Sequence, residues 1–73
     1  MTLSELKDGE KALVSNFSTL TLETRKKLMV MGVLPNTELT VVRRAPMGDP
    51  LQVMVRGVSI AIRNHVASKI EVK

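Results

Sequence analysis

Two adjoining stretches in the second half of the chain carry a period of two. Leu51, Val53 and Val55 alternate with Gln52, Met54 and Arg56, and Val58, Ile60 and Ile62 alternate with Ser59, Ala61 and Arg63. Such a period puts one set of side chains on a buried face and the other on a wet one, which predicts two strands. Arg56-Gly57 between them suits a tight hairpin link. Upstream, Glu38 to Arg44 predicts a further strand, ending on Val41, Val42, Arg43 and Arg44. The segment Ala45-Pro46-Met47-Gly48-Asp49-Pro50 follows it. Prolines and a glycine cannot continue a ladder, so the chain turns there. Val41 to Arg63 is thus a β-meander that the rest of the chain must cover. Glu10 to Asn16 predicts a strand before it, with Ala12 and Val14 on one face, and Lys69 to Val72 a short strand after it.

Helical signals fill the gaps. Thr2 and Glu5 stand at capping-box spacing, which predicts one turn with Leu3 and Leu6 pointing inward. Asp8-Gly9 is a turn. Thr19 or Thr21 can cap a longer helix, Glu23 suits its positive end, and Gly32 ends it. Leu34-Pro35-Asn36-Thr37 then turns, with proline second and asparagine third. Asn64 caps a single turn from His65 to Ser68. Five short strands cannot build a two-sheet sandwich of useful size in 73 residues. A small, strongly bent barrel is the economical solution, because it would also remove exposed edges. The fold class is mainly β, in one domain over residues 1–73, with one inserted α-helix and short helical turns.

The helix from Thr21 to Met31 departs from simple amphipathicity. Leu22, Met29 and Val33 share one side at about 100° per residue, while Leu28, Val30 and Met31 fall on other sides. A helix covering one barrel needs a single apolar stripe. Two explanations stay open: the C-terminal end of the helix is well buried, or one flank packs on the barrel and another on a second protein.

Composition narrows the function classes. At this length roughly 60% of the unfolded surface can be buried, so stability is modest. Apolar content is 44% and Phe17 is the sole aromatic, so aliphatic side chains and methionine must build the core. There is no cysteine, which removes disulfides and thiolate chemistry together. The longest apolar run, Leu28 to Leu34, is far short of the ~20 residues that span a bilayer. Acids rather than a basic block open the chain, unlike a signal peptide. The expectation is a soluble, cytoplasmic protein.

Catalysis finds no support. A nucleophile needs a base held by a third group, yet His65 is the only histidine, and Glu5, Asp8, Glu10, Glu23, Glu38, Asp49 and Glu71 are scattered one per element. No catalytic, cofactor or metal-ligating residues are expected. The isolated glycines form no phosphate loop. Net charge is +4, and Arg25, Lys26, Lys27, Arg43, Arg44, Arg56 and Arg63 include neighbours across the meander. A basic small barrel that binds nucleic acid is therefore an alternative. Without aromatic platforms for base stacking it is the weaker one, and no nucleic-acid partner is expected. A solvated basic surface, or one that docks an acidic protein, fits better.

The motifs resemble a known family. Arg43-Arg44-Ala45-Pro46-Met47-Gly48-Asp49-Pro50, Lys27-Leu28-Met29-Val30-Met31-Gly32-Val33-Leu34-Pro35 and Leu3-Ser4-Glu5-Leu6-Lys7-Asp8-Gly9-Glu10 are similar in type and order to the motifs of FeoA-type ferrous iron transport proteins. The likeness covers essentially the whole chain. Asn36 stands where the family generally has glycine, and Asp8 where it often has proline. The resemblance implies a five-stranded SH3-like barrel and a cytoplasmic accessory that is not itself an enzyme. Its partner would be a FeoB-type ferrous iron permease with a GTP-binding domain, whose assembly or activity it modulates. It reaches the membrane only through that partner, and weak self-association is compatible with such a role. Related domains fused to iron-dependent repressors suggest a metal-sensing module as a further alternative, whereas this chain looks like the stand-alone form. Leu22, Arg25, Lys26, Leu28 and Met29 are the expected partner-binding residues. Met47, at the tip of the proline loop, is a second candidate unless it folds back over the barrel end.

Overall fold

The computed structural model describes residues 1–17 and 19–73. In chain order they form a 3-10 turn at Leu3–Glu5, β1 (Lys11–Asn16), α1 (Leu22–Val30), β2 (Glu38–Arg44), β3 (Leu51–Val55), β4 (Val58–Ile62), α2 (Asn64–Ala67) and β5 (Glu71–Val72). The strands make one antiparallel sheet in the order β4-β3-β2-β1-β5. The expected mainly β architecture with one inserted helix is the one adopted. The expectation that closure removes the edges is not met: the ladder stays open, with β4 and β5 at its two ends. β5 is only two residues long, and Thr2 occupies its outer side in an isolated bridge to Glu71.

Local chemistry sets each turn. Arg56 and Gly57 both take positive φ, 52° and 82°, as a type I′ hairpin requires. Asn36 is at φ 67°, and Thr37 N–H donates to Leu34 O at 3.1 Å, closing the turn read from Pro35-Asn36. Val42 is a bulge in β2: Val41 faces Val53, but Arg43 faces Gln52. The extra residue shifts the phase of the strand. Arg44 is thereby opposite the buried Leu51, and its guanidinium donates to Leu6 O at 2.8 Å and to Ser4 O. It ties the N-terminal turn to the meander. Arg44→Met, which keeps the apolar stem, should lower stability by about 1.5 kcal/mol, because charge-assisted bonds are lost and partly buried carbonyls are left unpaired. Urea denaturation checks this.

The capping box is formed. Glu5 Oε1 accepts from Thr2 N–H at 2.8 Å and from Thr2 Oγ1 at 3.1 Å. The backbone bond from Thr2, then its side-chain bond, hold the Glu5 carboxyl below its ordinary value of 4.5. A carboxyl depressed in the folded state stabilises above its unfolded pKa, and that contribution disappears as pH falls through the folded pKa. Glu5→Gln should therefore melt slightly below wild type at pH 7, and the two curves should converge as pH falls through the lowered folded-state pKa.

The core is aliphatic around Phe17. Leu3, Leu39, Leu51 and Ile70 are its largest fully buried side chains, with Val14, Val33, Val41, Val53 and Val55 beside them. Boundaries differ slightly from the sequence reading. Thr21, not Thr19, caps α1, accepting from Thr24 N–H at 3.2 Å. Arg63, not Asn64, is the N-cap residue of α2, because the first helical bond, from Ala67 N–H at 2.9 Å, goes to Arg63 O; Asn64 N–H donates to Asp49 Oδ1 at 2.9 Å. β5 begins two residues late because Lys69 and Ile70 still bond back to Val66 and Ala67.

Candidate functional site

α1 is seated on the sheet through few residues. Only Leu28 among its nine is buried. Its C-terminus explains why. Gly32 takes φ 96°, its N–H donates to Met29 O, and Val33 N–H reaches back to Leu28 O at 2.9 Å. This is a Schellman ending, in which the residue after the glycine packs on the residue five before it. Leu28 and Val33 are both in the core at 3% and 0% exposure. The turn, not the helical wheel, therefore selects the inward face.

The expected stripe of Leu22, Met29 and Val33 is corrected accordingly. Val33 lies beyond the helix, and Leu22 and Met29 are 58% and 42% exposed. Burial of the helix's C-terminal end is also excluded, since Val30 is 88% exposed and Met31 40%. Val30 and Met31 thus stand exposed among charged side chains on the outer side of the helix. Val30 and Met31 line a shallow depression there with the stems of Lys26 and Lys27 and with Glu23. Glu23 and Lys27 pair at 3.8 Å along the exposed helix. Long cationic side chains lie along apolar surface while keeping their charge in water. The patch is thus apolar at its centre and charged at its rim, with two lysines and one glutamate, a composition compatible with protein docking.

The expected contact residues divide into three groups. Leu22, Lys26 and Met29 are exposed on α1, and Arg25 is half-buried beside Asn16, Phe17, Met29 and Pro35. Leu28 is in the core and offers no side chain on the outer face of α1, so it leaves the set for that face. Met47 is 92% exposed at the tip of the loop between β2 and β3, so it does not fold back over the barrel end. That loop is braced from α2: the Asn64 side-chain amide donates to Gly48 O, and Arg63 pairs with Asp49 at 3.8 Å. Val30 and Met31 were missed because the sequence placed them on separate sides of the helix. The position of Gly32 was the signal that could have found them. His65 is exposed in α2. Among the described residues no group of His, Asp and Glu is placed to hold a metal ion, and no helix is long and apolar enough to cross a membrane.

Comparison with known proteins agrees with this geometry. The sequence matches the FeoA domain family over residues 1–73. It is 33% identical, over its full length, to an Fe(2+) transport protein A/Fe(2+) transporter FeoB fusion protein of Porphyromonas gingivalis, and spans 8% of that protein's length. Its structure resembles that of a FeoA protein from Chlorobium tepidum, with 38% identity, a TM-score of 0.93, and coverage of 99% of this chain and 68% of that one. It also resembles FeoA of Stenotrophomonas maltophilia, determined in complex with zinc and described as a procaryotic SH3 domain protein. There the identity is 30%, the TM-score 0.85, and the coverage 100% of this chain and 89% of that one. The chain belongs to the FeoA domain family.

Proposed function

We propose that this protein is a small cytoplasmic accessory of ferrous iron uptake, acting by binding rather than by catalysis. It binds the cytosolic, GTP-binding part of a FeoB-type permease through the outer face of α1 and modulates that permease's assembly or activity. The exposed apolar patch itself carries the reading, since Val30 is 88% exposed on a helix that the core holds by Leu28. The fusion protein of Porphyromonas gingivalis, named for both transport protein A and transporter FeoB, supports the choice of partner. A domain joined covalently to its partner meets it at a high effective concentration. The lysine-flanked apolar patch on α1 is a surface through which such a domain would meet that partner.

The test is a calorimetric titration of this protein into the cytosolic region of the cognate permease, with and without guanine nucleotide. A micromolar complex that responds to nucleotide is expected. Absence of heat in both states would remove the cytosolic region as the partner.

A further inference from the structure

The two ends of the sheet are finished differently. At β5 the N-terminal segment fills the outer side: Thr2 bridges Glu71, Val72 N–H donates to Met1 O, and Leu3 N–H donates to Ile70 O, both at 2.9 Å. At the other end no strand among the described residues pairs beyond β4. Its register with β3 sets Val58 opposite Val55, Ile60 opposite Val53 and Ile62 opposite Leu51. A two-residue turn makes Val55 and Val58 a hydrogen-bonded pair, and bonded pairs alternate along an antiparallel ladder. Val58, Ile60 and Ile62 therefore bond back to β3. The N–H and C=O groups of Ser59 and Ala61 point away from the sheet, and both residues are exposed. Strands that must stay single are usually blunted by a charge, a proline or a bulge. β4 reads VSIAI, with no charge or proline, and its pairing is regular.

Beside this edge runs a groove of about 160 Å³ that separates it from α1. Leu28, Met31, Ile62 and Val66 supply apolar lining, and Lys27 and Arg63 are its cations. Arg56 adds a third cation at the hairpin, with its Cδ near Gly32 at the end of α1. The anions nearby, Glu23 and Asp49, hold Lys27 and Arg63 only in exposed pairs at 3.8 Å. Such pairs contribute little and yield readily to a competing carboxylate. A second copy fits the edge poorly, because antiparallel pairing of two β4 strands brings Arg56 of each alongside Arg63 of the other.

We infer that β4 accepts a sixth strand from an extended, acidic segment of a partner protein. Its backbone bonds Ser59 and Ala61, an apolar side chain enters the groove beside α1, and its carboxylates meet Lys27, Arg56 and Arg63. Main-chain bonds then give affinity, and the groove and charges give selectivity. This deepens the docking reading of the α1 face and rests on it only for the partner's identity.

The test uses the whole protein and a blocked ten-residue peptide of alternating valine and glutamate, with a valine–lysine peptide of the same length as control. Amide hydrogen exchange is read by NMR at about millimolar peptide. Exchange at Ser59 and Ala61 should slow at least tenfold with the acidic peptide and stay unchanged with the basic one. Ala61→Pro, which removes an outward N–H without touching the β3 ladder, should abolish the protection at Ser59. Unchanged exchange at both amides, or equal protection by the basic peptide, would overturn the inference. Protection that instead grows with protein concentration alone would assign the edge to a second copy and overturn it too. The peptide contains no permease sequence, so its failure leaves the calorimetric result standing, and the converse holds.

Discussion

Replacing Leu28 by alanine should lower the unfolding free energy by about 3 kcal/mol, the middle of the range for a leucine lost from a packed core. For a domain of this size that corresponds to a fall in Tm of roughly 12–24 °C. Total stability at 73 residues is on the order of 4–11 kcal/mol, so the substitution would remove roughly a quarter to three quarters of it. The effect is large because Leu28 is the one buried residue of α1 and shares the core with Val33, to which its carbonyl is bonded across the Gly32 turn. Leu28→Met, which conserves volume, should cost less than 1.5 kcal/mol. Urea denaturation of the three proteins gives the comparison. If Leu28→Ala kept the wild-type midpoint and lost only partner binding, Leu28 would be a contact residue after all.

The opposite separation is expected at Val30. At 88% exposure Val30→Glu should change stability by no more than about 0.5 kcal/mol, since it touches no core residue and glutamate is a better helix former than valine. In the complex it would set a carboxylate at the centre of an apolar contact. A hot-spot loss of about 2 kcal/mol, roughly thirtyfold in Kd, is the expected size of the effect. Val30→Ala removes the side chain without adding charge and should weaken binding less. Calorimetry of both variants against the permease's cytosolic region, with their melting curves beside it, separates binding from folding. Unaltered affinity in Val30→Glu would place the interface elsewhere on the protein.

The two residues show what could be read from the chain and what could not. Alternation along Leu51–Val55 and Val58–Ile62, the Arg56-Gly57 link and the Pro35-Asn36 turn are short-range signals, and the fold follows them. The same holds for the box between Thr2 and Glu5. The inward face of α1 is a different matter. A helical wheel ranks Leu22, Met29 and Val33 together, but a nine-residue helix with apolar side chains all round has no single best face. The choice falls to the Gly32 turn, which brings Leu28 and Val33 into the core together. A wheel drawn only as far as Met31, with Leu28 paired to Val33, would have found the core residue and freed Val30. The Val42 bulge had no local mark, so the inward turn of Arg44 toward Ser4 and Leu6 was invisible. Closure of the sheet was inferred from the cost of open edges. The chain instead covers one edge with Met1–Leu3, and among the described residues nothing covers β4.

The measurement that bears most directly on the docking surface is NMR mapping of the whole protein as the cytosolic region of the cognate permease is added. Perturbations centred on Leu22, Lys26, Met29, Val30 and Met31, with the core amides of β1 and β2 quiet, are the expected result. Perturbations confined to the Met47 loop or to the β1–β2 face, with α1 silent, would contradict the assignment of α1 as the surface that meets the permease.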